Sequence, residues 1–519
     1  MKFIIHNWTG YPPPAAPLTA RLTTNGWNDY SFKTLYSLAV FDAKGKEHSI
    51  GMVKIGEVGM EANYERPNMS ESFEELDTRF FSLGQSDSYY KALQELGSEL
   101  AETILGALQD IAFSKEQYER AVVESVTQRS LLRDITPFTA QGQFRRLARG
   151  GERLSQYRFA YQLPKLGRGA PPTLLSFEVL PESNPPTNIH VLIGRNGVGK
   201  THLLQNMTRA LVEELAKPNE VGQFTLQNDV ADTSGLFANV VSVTFSAFDQ
   251  FEPLPERRGG SGGTSYAYIG LKSPAKSKEK SSTTKSPRAL GAEFARGLRN
   301  CNGNAKAVRL RRALQTLEAD PVFKGADITA LIEQTYAAEE QSTNEQATST
   351  TINTTGTGAS AWFGRLSSGH KIVLLTMVRL VDTVEERTLV LLDEPEAHLH
   401  PPLLSAFVRA LSDLLVDRNG VALVATHSPV VLQEVPKNCV WKLRRNGTIF
   451  QAERPEMETF GENVGVLTRE VFGLEVTQAG FHQLLREAVQ NHRTYASVVE
   501  AFSGQLGMEA RAIVRALTT

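Results

Sequence analysis

Four short stretches of this 519-residue chain carry side chains suited to handling phosphate. The first reads Gly194-Arg195-Asn196-Gly197-Val198-Gly199-Lys200-Thr201 and fits the pattern G-x-x-x-x-G-K-[ST] without a mismatch. Its glycines permit a tight turn whose backbone N–H groups converge on one anion, and a following helix adds its positive end. Lys200 is placed to reach the β- and γ-phosphates of a nucleoside triphosphate, and the Thr201 hydroxyl to ligate Mg²⁺. Farther on come Leu366-Ser367-Ser368-Gly369-His370, then Asp393-Glu394-Pro395-Glu396, then His427-Ser428-Pro429. Paired acids alone are a weak signal. Their order and contexts are what count.

Those contexts are strands and helices in alternation. Asn188–Ile193, ahead of the phosphate loop, is a short β-branched run of the kind that makes a buried parallel strand. Leu203, Leu204, Met207, Leu211 and Leu215 follow it at helical spacing. Ala238–Phe245, Thr388–Leu392 and Val421–Thr426 read as further buried strands, the last two ending at the acid pair and at His427. An apolar helix with Ile372, Leu375, Val378, Leu380 and Val381 follows Ser368-Gly369. The expected fold class is α/β, a mostly parallel sheet flanked by helices.

Together these motifs resemble an ABC-type P-loop ATPase head. The similarity is to the soluble branch shared by chromosome-maintenance, repair and overcoming-lysogenization-defect ATPases. The segment Asp393-Glu-Pro-Glu-Ala-His-Leu-His-Pro401 is typical of that branch rather than of membrane transporters. The resemblance spans roughly 153–255 and 360–452. It implies ATP and Mg²⁺ as cofactors, with Asp393 in the metal shell beside Thr201. Glu394 would orient and deprotonate the attacking water. His427 would hydrogen-bond the γ-phosphate, and Gln250 falls where the family keeps a metal- and water-contacting glutamine. Ser368 and Gly369 would act in trans on nucleotide held by a second chain. That implies a head-to-tail homodimer or a larger even-numbered assembly. His370 departs from the family, where glutamine is commoner.

The rest of the chain divides around that head. Residues 1–152 read as an α+β lobe with a hairpin (Ser31–Asp42 against His48–Ile55) and a long helix striped by Leu93, Leu96, Leu100, Ile104, Leu108 and Ile111. A second helix is expected over Lys115–Gln128. Between Glu57 and Asp110 twelve acids face three bases, a bias that a solvated face explains. Residues 153–255 form the first half of the head, with Tyr157–Tyr161 and Leu174–Val179 as an edge sheet. Residues 256–359 form a basic insertion and linker: Glu256–Arg312 holds fourteen Lys/Arg against three Glu. Its part from Gly259 to Pro287 reads as disordered or a mobile loop, Glu293 to about Ala338 as helical, and Gln341–Gly358 as a linker. Residues 360–452 complete the head, ending in a hairpin at Asn446-Gly447. Residues 453–519 are expected to be helical.

Composition bounds the function. The charged share is 22% and the net charge −2. Cys301 and Cys439 form no metal-ligand pattern, so a reduced, cytoplasmic setting is expected, and no apolar stretch approaches a membrane span. His398 and His400 lack a third ligand, and a structural role is the plainer reading. Three functions compete. The first is an ATPase that regulates or powers a nucleic-acid-directed effector in phage defence, resembling the ATPase subunit of Septu-type and retron-associated systems. Few residues follow His427 and hold no acidic cluster, so a nuclease would be a separate chain. The others are a repair ATPase clamping DNA directly and a transporter's nucleotide-binding subunit. DNA or RNA is a candidate ligand of 256–312, and a solvated loop or one paired with the acidic lobe is the rival.

Overall fold

A computed structural model of the chain describes residues 1–8, 16–63, 65–150, 156–164, 173–181, 183–226, 236–245, 252–257, 264–274, 283–302, 304–344, 352–447, 449–473 and 480–518. It divides into two compact units. One comprises Met1–Ser155 with Val230–Ala238 and Val384–Thr388; the other comprises Gln156–Asp229, Asn239–Thr383 and Leu389–Thr519.

The first unit is built on a six-stranded sheet from β1 (Lys2–His6), β2 (Thr19–Thr24), β3 (Leu35–Phe41), β4 (Glu47–Glu57), β5 (Ser72–Phe73) and β6 (Phe80–Gly84), in the order β5-β1-β2-β3-β4-β6. The β3–β4 hairpin is antiparallel, as the alternation and Lys44-Gly45 turn predict. Phe3, Leu22, Leu38, Val53 and Leu83 meet Tyr89, Tyr90, Leu93, Ile104 and Leu105 in one core. The predicted long helix is two helices, Asp87–Glu95 and Ser98–Ala107. Gly97 between them sits at φ +111, outside helical backbone, so the shared apolar stripe bends rather than running straight. The expected second helix stops at Ala121 and is followed by a wider, π-type turn over Thr127–Leu131.

The second unit holds a three-stranded antiparallel sheet, β7 (Tyr157–Gln162), β8 (Leu174–Val179) and β10 (Gln223–Leu226), in the order β10-β7-β8. Its main sheet contains β9 (Ile189–Gly194), β11 (Asn239–Thr244), β12 (Ser265–Gly270), β15 (Thr388–Asp393), β16 (Val421–Thr426), β17 (Val440–Asn446) and β18 (Ile449–Glu453). Their order is β12-β11-β15-β16-β9-β17-β18. A short pair, β13 (Lys272–Ser273) and β14 (Thr283–Thr284), stands apart. Every residue of β9, β11, β15 and β16 is buried, as in a parallel sheet covered on both faces.

Two expectations for 256–359 change. Ser265–Gly270, within the stretch read as a mobile loop, is a strand paired parallel with β11, with Tyr266, Tyr268 and Ile269 at 2% exposure or less. The expected linker is entered by helices Ile328–Asn344 and Ile352–Arg365, with 345–351 outside the described residues.

Candidate nucleotide site

Strand register brings the dispersed motifs together. Asp393 on β15 pairs with Ala425 on β16, and Thr426 on β16 pairs with Ile193 on β9. The phosphate loop, His427 and Glu394 therefore leave three neighbouring strands at the same sheet end, where α/β folds collect their ligands. β16 lies between the phosphate-loop strand and the acidic strand, so the acids face the loop across one strand.

The loop is shaped by glycine where backbone demands it. A Cβ on Gly194 would lie 2.5 Å from the Leu443 carbonyl oxygen, and Gly199, at φ +100, caps the helix Lys200–Val212. Lys200 is 4% exposed. Its Nζ donates to the carbonyl oxygens of Gly194 (3.0 Å) and Arg195 (3.2 Å) and lies 3.9 Å from Glu394 Oε1. Burial pushes its amine below the ordinary lysine value, against the pull of Glu394, Asp393 and Glu396. Thr201 follows, half-buried in the helix's first turn.

Asp393 ends β15 and is 7% exposed. Glu394 adopts φ +45, a left-handed conformation that costs about 1–3 kcal/mol for a non-glycine residue and concentrates at functional sites. Its N–H donates to the Ala425 carbonyl at 2.8 Å, pinning the strained turn to β16. His427 Nδ1 lies 3.7 Å from Glu394 Oε1 and 3.1 Å from Glu396 Oε1. Lys200, Glu394 and His427 thus form one linked cluster. Glu396 belongs to it and was given no role by sequence reasoning. Its signal was present, an acid two residues past Glu394, yet its partner depends on the adjacency of β15 and β16.

The remaining predicted residues fall elsewhere. Ser368 opens the helix Ser368–Thr383, exposed, and a Cβ on Gly369 would lie 2.8 Å from the His398 carbonyl oxygen. Among the described residues neither bonds to the phosphate loop, Glu394 or His427. Gln250 lies outside the described residues. His370 packs edge-on against Phe323, and burial lowers its imidazole's basicity. His400 bonds the buried Asp320 at 2.8 Å, and no group of three His, Cys, Asp or Glu able to hold a metal occurs among the described residues. The donor set instead suits Mg²⁺ bound with a triphosphate, which takes one or two carboxylates and keeps several waters. Thr201 and Asp393 are the residues that fit it.

Residues 305–433 match the family "AAA domain, putative AbiEii toxin, Type IV TA system", a span that includes Ser368, Asp393, Glu394 and His427 and stops short of the phosphate loop. Fold motif and family match together define a P-loop ATPase domain. The whole chain is also similar to Protein ea59 of Escherichia phage lambda, 41% identical over 525 residues covering 100% of this chain and 98% of that protein. The chain belongs to the ea59 family. One similar solved structure, "An inward-facing conformation of a putative metal-chelate type ABC transporter", covers 61% of this chain and 89% of its own at 14% identity and TM-score 0.30. That likeness is too distant to bear on function. No helix among the described residues is long and apolar enough to cross a membrane.

Proposed function

We propose that this chain binds and hydrolyses ATP and couples the cycle to a separate, nucleic-acid-directed effector. The observation that carries the reading is the convergence of Lys200, Glu394 and His427 at one sheet end, each within 3.9 Å of the next. In this reading the loop N–H groups of residues 194–199 cradle the phosphates, and Lys200 exchanges its carbonyl partners for phosphate oxygens. Thr201 and Asp393 would hold Mg²⁺, which would supply charge neutralisation at the phosphates. Glu394 takes the proton of the attacking water, and His427 holds the γ-phosphate. Glu394→Gln should keep ATP binding and lower turnover at least about 100-fold, whereas Lys200→Ala should abolish binding. Wild-type hydrolysis by Glu394→Gln in a radiolabelled phosphate-release assay would refute the base assignment.

The signature supports assembly. Ser367 and Ser368 are exposed at the start of a 16-residue helix and, among the described residues, bond to none of Lys200, Glu394 and His427. We place them on the nucleotide of a facing copy, making a head-to-tail dimer. Mixing Lys200→Ala with Ser368→Arg chains should restore about one working site per dimer. No recovery in the mixture would mean that each chain holds a whole site. A relative in phage lambda connects the chain to phage biology, the setting of the defence reading. A repair ATPase clamping DNA directly is the alternative.

A further inference from the structure

Glu396 makes a set of contacts that the hydrolytic reading above does not use. Its Oε1 accepts from the Thr426 hydroxyl at 2.6 Å and from the His427 backbone N–H at 2.7 Å, and lies 3.1 Å from His427 Nδ1. The Thr426 hydroxyl in turn accepts from the Ser428 N–H at 2.9 Å. One oxygen therefore gathers the last residue of β16, the next peptide and the imidazole. The other oxygen, Oε2, is buried without a hydrogen-bond partner among the described residues. A side chain only 10% exposed that spends one oxygen on two donors and a close imidazole is held for geometry, since its second oxygen gains nothing from protein.

Resting on the proposed hydrolysis, we infer that Glu396 is the positioning residue for His427. It faces Nδ1 at 3.1 Å and so fixes the orientation of the ring, with Nδ1–H kept for the carboxylate and the Nε2–H of the imidazolium left as the donor to a phosphate oxygen. Glu394, the nearer acid in sequence to β15, is 0.6 Å farther from Nδ1 than Glu396 (3.7 against 3.1 Å), beyond hydrogen-bond range. The division of labour is steric. Glu394, one residue past the strand and in left-handed backbone, lies 3.9 Å from Lys200, while the short turn Pro395–His398 holds Glu396 on the last residue of β16 and on His427. Imidazoles in other sites are oriented the same way, by a carboxylate on the nitrogen that does not meet the substrate.

Two measurements test this separately. In ¹⁵N-edited spectra of histidine side chains in the nucleotide-free protein, wild type should give a slowly exchanging His427 Nδ1–H signal, assigned by its loss in His427→Ala. Glu396→Ala should remove that signal and Glu394→Gln should leave it. Its persistence in Glu396→Ala overturns the proposal whatever the protein does with ATP. In turnover, Glu396→Ala should lower kcat at least tenfold with KM for ATP within about threefold. Glu396→Gln, which keeps the acceptor oxygen, should stay within about threefold of wild type. Adding Glu396→Ala to His427→Ala should cost nothing more, because both act through one imidazole. Additive losses in that double variant would mean that Glu396 acts independently of His427, and so overturn the inference. Wild-type turnover in His427→Ala alone would instead sink the role given to His427 in hydrolysis and leave the spectroscopic comparison to decide the positioning.

Discussion

Two lysines are equally hidden and answer to opposite requirements. Lys54 in the first unit and Lys200 in the second are each 4% exposed. Lys54 Nζ lies 2.7 Å from Asp29 Oδ2 and donates to the Ser130 carbonyl at 2.8 Å. Asp29, 1% exposed, also accepts from Arg133, Ser130 and the Trp27 indole. Burial works against ionisation of Asp29, yet the Lys54 ammonium and these donors hold its carboxyl below the ordinary range. Lys200 is met first by two neutral carbonyls, with its nearest carboxylate at 3.9 Å. A buried cation closed in by its counter-ion is structural. One lodged among dipoles, its charge disfavoured by burial, is ready for an incoming anion. Burial alone does not distinguish them; the partner does.

Removing each amine should separate the two most sharply. Lys54→Met leaves Asp29 buried with Arg133 as its remaining cation beside the Ser130 and Trp27 donors, and breaking such a pair costs about 3–5 kcal/mol. The loss should fall toward the lower figure because Arg133 remains. Lys200→Met should alter stability by less than about 1 kcal/mol while ATP binding disappears. Hydrogen exchange in each unit, beside nucleotide titration, reads both. Equal destabilisation by the two substitutions would break the comparison.

A third buried charge sharpens it. Asp110 is 1% exposed, and its partners are the neutral N–H groups of Ala112, Phe113 and Gly84 and the Tyr90 hydroxyl. Burial pushes its carboxyl up to about 6 despite those bonds. The folded state then holds a proton that the unfolded chain has released, so the first unit loses stability as pH rises from about 4 to about 6. The loss is roughly 3 kcal/mol and levels off above that window. Asp29, with its carboxyl held low, contributes in the opposite sense: its stabilisation is present above the ordinary aspartate value and is lost as pH falls through its lowered one. Asp110→Asn keeps an acceptor for Ala112 and Phe113 and should flatten the slope between pH 4 and 6 in urea unfolding. An unchanged slope would assign that window to other groups.

What the sequence made legible follows from range. The phosphate loop, the buried strands and the ends at Asp393, Glu394 and His427 are local patterns, each complete within about ten residues, and parallel strands read as unbroken apolar runs. Asp29 with Lys54 and Ser130, and Glu396 with His427, depend on residues 25 to 101 and 31 positions apart, which no local pattern encodes. Ser265–Gly270 was hidden by its neighbours: glycine, serine and lysine on both sides outweighed six strand residues. The helix from Ile352 was masked by threonines, whose modest helix propensity is overridden when Phe363 stacks on Phe294.

The smallest effect on stability belongs to charges that are neither buried nor paired. Arg288, Arg296 and Arg299 are exposed on the helix Pro287–Cys301. Arg296 and Arg299 lie eight and eleven residues beyond Arg288, which keeps all three within one helical face. They carry no ion pair among the described residues. Arg311 and Arg312, counted with them from composition, are instead paired at 3.4 Å with Glu333 and Asp417. Part of the expected positive surplus is therefore answered within the same unit, and among the described residues these three arginines make a cationic face on one helix. Replacing Arg288, Arg296 and Arg299 with glutamine should change stability by less than about 0.5 kcal/mol. If that face holds DNA, the log–log salt slope of binding should flatten by about 0.9 for each phosphate no longer neutralised, and Arg311→Gln with Arg312→Gln should flatten it less. ATP binding should survive in both. Wild-type protein without salt-sensitive DNA or RNA binding at low ionic strength, with or without ATP, would turn the face over to an acidic protein partner. The three arginines would then resemble neither lysine: cations kept in water, available to whatever anion arrives.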